Sequence, residues 1–140
     1  MHVSVTRLRL ASWLTAPAFL SASGESARQA KTVPGFRAGR LLVDKGRVFW
    51  TLTAWSDIEA MKAYRDAAAH AAIMPKLAEW CDEAAVAHWQ APDGALPPWT
   101  EAHERLSTEG RASRLRKPST RHAALIFPPP AVSRWRDQPM

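Results

Sequence analysis

Two strand-length stretches with three residues between them constrain this chain more than any other feature. Residues 36–43 and 47–55 are rich in apolar and β-branched or aromatic side chains, and Asp44-Lys45-Gly46 lies between them. A glycine in so short a connection supplies the backbone freedom that a hairpin needs. The second stretch also separates its two faces. Val48, Trp50, Leu52 and Ala54 are uniformly apolar and are expected to pack under helices. Phe49, Thr51, Thr53 and Trp55 mix rings with hydroxyls, a face suited to a partly wet cavity or a partner sheet.

The flanking residues supply the rest of a small domain. Residues 3–10 alternate and predict a strand. Thr15 can cap a helix, and Pro17 fits its first turn, so a helix is expected to about residue 31, before Pro34-Gly35. Ser56 and Glu59 have the spacing of a capping box, followed by Ile58, Met61 and Tyr64 on one face. Pro75 is expected to interrupt that helix and start a short second one over residues 75–82. Residues 84–90 read as a last strand. The order is β-α-β-β-α-β, so the fold class is α+β, ferredoxin-like. Such a sheet carries helices on one face only, and the bare face predicts a homodimer joined through it, with Phe49 and Trp55 as the residues concerned.

The domain is expected over residues 1–90, with a partly ordered extension over 91–140. Eight of the 11 prolines fall in that extension. It carries a helical pattern over residues 100–109 ended by Gly110, a cluster of Arg111, Arg114, Arg116, Lys117 and Arg121, and an apolar patch of Leu125, Ile126 and Phe127. A free tail rarely keeps such a patch, so part of it is expected to dock.

Composition excludes several classes. Cys81 is the only cysteine, so no internal disulfide or thiolate zinc site can form, and the five histidines lack close ligand spacing. The expectation is no metal of that kind. No stretch approaches the roughly 20 apolar residues that span a bilayer. Arg7 and Arg9 before the run at residues 10–20 loosely mimic a secretory signal, but Ser12, Thr15 and Pro17 interrupt it, and its removal would delete a strand. A cytoplasmic location without membrane contact is therefore expected. The net charge of +6 could attract nucleic acid, yet the basic cluster lacks the interleaved aromatics of single-strand binders, so a nucleic-acid partner is not expected. There is no glycine-rich phosphate loop or dinucleotide fingerprint.

The run from Phe49 through Trp55 to Met61, followed by Tyr64, His70, Met74 and Trp80, resembles the antibiotic-biosynthesis-monooxygenase-like superfamily of dimeric α/β barrels. Residues 7–10 and Pro34-Gly35-Phe36 are similar to its spheroidene-monooxygenase-like branch. The resemblance spans roughly residues 3–90. It implies a small apolar or aromatic ligand held between sheet and helices, with monooxygenase-like activity. Its rivals are a non-catalytic dimeric binding module and a haem protein with a helix histidine as ligand. The cofactor is accordingly none or haem.

His70 is the residue this resemblance singles out, as a catalytic base or, if haem binds, as its iron ligand. The plainer alternative is a bond from His70 to a carbonyl at a helix end. Trp55 can stack on a planar ligand or anchor packing. Thr51 and Thr53 can fix a polar substrate atom or satisfy each other, and Phe49 shares their face. His88 in the last strand reads as structural, Tyr64 and Met61 as core, and Cys81 as a buried small hydrophobe.

Overall fold

The computed structural model describes all of residues 1–140. Its elements are β1 (His2–Leu10), α1 (Ala16–Ala30), β2 (Phe36–Val43), β3 (Val48–Trp55), α2 (Ile58–Asp66), α3 (Ala68–Trp80), β4 (Cys81–Gln90), α4 (Trp99–Glu109), β5 (Arg111–Ala112) and β6 (Asp137–Pro139). The hairpin forms where Asp44-Lys45-Gly46 predicts it, with Gly46 and Arg47 both at positive φ. Gly35 also has positive φ, and a Cβ there would meet Ser56 Oγ at 2.6 Å. Strands run in the order β5-β4-β1-β3-β2-β6, each neighbouring pair antiparallel. The central four make the ferredoxin-like arrangement.

Local details depart from expectation in the helices. The capping box at Ser56 does not form. Ser56 donates its backbone N–H to the Gly35 carbonyl at 2.7 Å, which keeps it with the end of the strand. Asp57 caps α2 instead, its carboxylate accepting from the Ala60 N–H at 2.9 Å. Asp57→Ala should therefore cost about 1 kcal/mol, and Ser56→Ala about half of that or less. Urea midpoints of the two variants check the order. The helix break falls at Ala67, not at Pro75, which lies inside α3. Gln29 of α1 explains the position: its side-chain carbonyl accepts from the N–H groups of Ala69 and His70 at 3.1 and 3.3 Å, satisfying the start of a new helix.

Helices cover both faces of the sheet, not one face as expected. Helices α1, α2 and α3 lie on the side of Phe49, Thr51, Thr53 and Trp55, where Phe19 meets Phe49 and Tyr64 meets Trp55. Val48, Trp50, Leu52 and Ala54 instead join Val3, Val5, Ala85, Ala87 and Trp89 in the main core, beneath Trp99, Ala102 and Leu106 of α4. Phe49 and Trp55 thus do not lie on an open face. The bare face of a ferredoxin-like sheet is here covered by the chain's own α4, which removes the physical ground on which the sequence predicted a homodimer.

Beyond α4 the chain forms a strap across the same side. Ser119 N–H donates to the Asp82 carbonyl at 2.7 Å, and Ala131 N–H to the Asp44 carboxylate at 3.0 Å. His122, buried between them, accepts from the Ala84 N–H through Nδ1 and donates from Nε2 to the Ser113 carbonyl. Of the apolar patch, Phe127 is buried in the main core, Leu125 is half-buried and Ile126 is exposed. Beneath the strap lies a buried ion pair, Arg7 Nη1 to Glu83 Oε2 at 2.6 Å. Cys81 packs with Leu10, Ala16 and Phe19, and burial, with Asp82 nearby, pushes its thiol up to about 12.

Candidate functional site

Antiparallel register places side chains from three strands in rows on the α1–α3 side of the sheet. One row is Gln90, His2 and Trp55; the next is His88, Ser4 and Thr53; the next is Val86, Thr6 and Thr51; the last is Ala84, Leu8 and Phe49. The first two rows are polar because the alternation of β1 puts His2, Ser4 and Thr6 on one side. Val86, Thr6 and Thr51 remain only half-buried beneath three helices, so solvent reaches the middle of this face.

The two histidines stand together. Their rings stack with centroids 5.6 Å apart and planes 21° from parallel. The Gln90 amide donates to His2 Nδ1 at 2.9 Å, which leaves the proton of a neutral His2 on Nε2. His2 Nε2 and His88 Nδ1 are both buried without a hydrogen-bond partner. Burial lowers the His2 pKa, and the nearby terminal amine lowers it further. Burial also lowers that of His88, aided by the charges of His2, Arg111 and Arg65. Both imidazoles are therefore neutral near pH 7.

An aromatic wall stands beside this pair. Trp55 is fully buried, donates from Nε1 to Thr53 Oγ1 at 2.9 Å, and packs on Phe36 and Tyr64 at 5.3 and 5.1 Å between centroids. The Tyr64 hydroxyl bonds Ser26 at 2.5 Å, and burial raises its pKa against that bond. His70 packs on Tyr64 at 4.8 Å and lies in the first turn of α3, not at the end of a helix before Pro75. Its Nδ1 bonds the Arg65 carbonyl at 3.1 Å, which leaves Nε2 with the lone pair when the ring is neutral. Burial lowers its pKa, opposed by that carbonyl.

The structure thus joins His70 to Trp55 and Thr53 through Tyr64. Thr51 sits in the half-exposed row. Phe49 lies at the other end of the strand, roughly 20 Å from Trp55 at strand rise, paired with Phe19. Sequence reasoning missed His2 and set His88 aside as structural. The alternation of His2, Ser4 and Thr6 was a signal for one polar face, but only the pairing register brings His2 beside His88.

These histidines set a pH dependence. Three imidazoles, His2, His70 and His88, have folded pKa values held below the 6.5 of an ordinary imidazole, chiefly by burial. Below that pH the unfolded chain binds more protons, so stability rises with pH. The contribution is complete above about 6.5 and is lost as pH falls through the lowered values. Urea midpoints should fall from pH 7.5 to pH 5, and less steeply for His88→Asn. A flat profile would show that the rings are solvated.

Strand order and the helices on this face define the antibiotic-biosynthesis-monooxygenase-like fold. A crystal structure of an antibiotic biosynthesis monooxygenase matches with a TM-score of 0.59 and 16% identity, over 66% of this chain and 99% of that one. SnoaB, a cofactor-independent oxygenase from Streptomyces nogalater, matches at 0.53 with 20% identity, over 69% and 97%. MhuD, with two manganese protoporphyrin IX bound per active site, matches at 0.50 with 20% identity, over 68% and 98%. At such identities the likeness is one of fold. A family model described as a domain of unknown function, DUF3291, matches residues 12–114, and the chain belongs to that family. The match runs past residue 90 and through α4. The narrower likeness to the spheroidene-monooxygenase-like branch is not confirmed, and no curated protein matches. No helix is long and apolar enough to cross a membrane.

Proposed function

We propose that this chain is a monooxygenase-like enzyme acting, without a resident cofactor, on a small apolar or aromatic molecule held between the sheet and helices α1–α3. The observation that supports this most is the neutral, stacked pair of His2 and His88, with unpartnered ring nitrogens, one row from a part of the face that solvent reaches. With its proton on Nε2, His88 offers a lone pair on Nδ1 to an acidic C–H or O–H. Trp55 and Tyr64 would exclude water from the resulting anion, and Thr51 and Thr53 would bind a polar atom of it. For an activated methylene the reaction balances: the CH2 becomes a carbonyl, dioxygen contributes one oxygen atom to it and the other leaves as water, and the substrate supplies all four electrons. The protein's part is the proton transfer and the desolvation.

Haem fits the arrangement poorly. The room a tetrapyrrole would need beside His70 is filled by the packed rings of Tyr64, Trp55 and Phe36.

An oxygen electrode with an anthrone as probe tests the reading. His88→Ala should lower oxygen uptake by about 10²-fold or more, the usual contribution of a general base. His70→Ala, assayed in parallel, decides which imidazole takes the proton, since equal uptake by His88→Ala and the parent would move the role to His70. Saturable binding without uptake would make the protein a binding module, and a Soret band on adding haemin would restore the haem alternative. Light scattering of the same sample separates a 15.5 kDa monomer, which the covered sheet faces favour, from a homodimer.

A further inference from the structure

The α4 side of the sheet holds a second candidate site, unrelated to the histidine pair. The strap roofs a cavity of about 510 Å³, within the range of small-molecule sites. Its lining includes four cations, Arg7 and Arg9 of β1, Lys45 of the hairpin turn and Arg121 of the strap, against two carboxylates, Asp44 and Glu83. The carboxylates are already engaged. Glu83 binds Arg7 and accepts from the Ser119 hydroxyl at 3.1 Å. Asp44 accepts from the N–H groups of Lys45 and Ala131 and from Trp50 Nε1, at 2.7, 3.0 and 2.9 Å.

The cations are less fully engaged. Arg9 is paired with Asp82 outside the cavity lining. Arg7 is only 2% exposed, yet its Nε–H has no partner. Its guanidinium lies over the Phe127 and Trp50 rings, 4.3 and 5.7 Å from their centroids, and these contacts together with the Glu83 bond hold it in place. Lys45 and Arg121 are exposed at the rim and make no ion pair. A half-open recess with a buried, incompletely satisfied guanidinium on its wall and two free cations at its mouth matches an oxyanion.

We propose that this cavity binds a small molecule through a phosphate or carboxylate group, with Lys45 and Arg121 capturing the anion and Arg7 facing it from within. The strap is then a binding element: Ser119 and Ala131 tie its two ends to opposite parts of the sheet, and Arg121 is carried on the span between.

Calorimetric titration of the full chain with inorganic phosphate, pyrophosphate and citrate tests this at constant ionic strength. At least one of the three should bind saturably, and the preference among them identifies the anionic group. Lys45→Gln combined with Arg121→Gln should weaken that binding tenfold or more while leaving the urea midpoint unchanged. His88→Ala should leave it intact, which separates this site from the proposed catalytic one. Arg114→Gln with Arg134→Gln, which removes two exposed cations outside the lining, serves as control. No saturable binding by any probe, or equal weakening by the control pair, would overturn the proposal.

Discussion

Replacing Glu83 with alanine should destabilise the chain by about 3–5 kcal/mol, because it leaves a guanidinium in the core without its counter-charge. Arg7 and Glu83 are 2% and 6% exposed, and the bond between them is 2.6 Å. Neither can turn to solvent, since Arg7 lies against Phe127 and Trp50, and Glu83 is held by the Ser119 hydroxyl. Removing both charges is a different matter. Arg7→Met with Glu83→Leu deletes the desolvation penalty along with the attraction, so the double variant should recover most of the loss. Urea midpoints of both variants decide it. A loss below about 1 kcal/mol for Glu83→Ala would mean that water reaches Arg7 through the cavity and screens it.

Trp99→Ala should cost a similar amount, about 3–5 kcal/mol. Trp99 meets Trp50 edge to face at 6.3 Å between centroids, and both are buried in the main core. The rest of α4 cannot collapse into the space, because Ala102 and Leu106 already rest on the sheet. His103 also fixes the helix, its Nε2 donating to the Phe127 carbonyl at 2.8 Å. The variant should therefore expose apolar sheet surface, detectable as dye binding together with the lowered urea midpoint. A loss under 1 kcal/mol would show that α4 does not cover the sheet in solution.

The sequence made the hairpin and the order of the central strands legible because they rest on local signals. A glycine turn and alternation over eight residues need no distant partner to be interpreted. The faces of β3 were harder. Its even-numbered side chains, Val48 to Ala54, are apolar because a helix covers them, as expected, but that helix is α4. Nothing local to β3 distinguishes a helix that precedes it from one that follows some forty residues later. The α2 cap was misplaced by one residue because both Ser56 and Asp57 are capable caps, and the choice is made by the Gly35 carbonyl. The break at Ala67 depends on Gln29, a residue on another helix. The candidate site follows the same division. Thr51, Thr53 and Trp55 share a face by alternation alone, whereas His2 and His88 come together only through a pairing 86 residues apart in the chain.

The central place of β1 has a consequence for how the chain is made. It is synthesised before both of its sheet partners and has no hairpin neighbour, since those partners are β3 and β4. His2 and Gln90, which meet across the sheet, are separated by 88 positions. At typical translation speeds of 5–20 residues per second, roughly 4–18 s pass between their additions. During that interval Val3 and Val5 have no β4 beside them and no α4 above them. The nascent segment is thus unpaired until β3 appears and keeps one open apolar edge until β4 follows, and it is at this stage, more than in the finished protein, that the chain is exposed to aggregation.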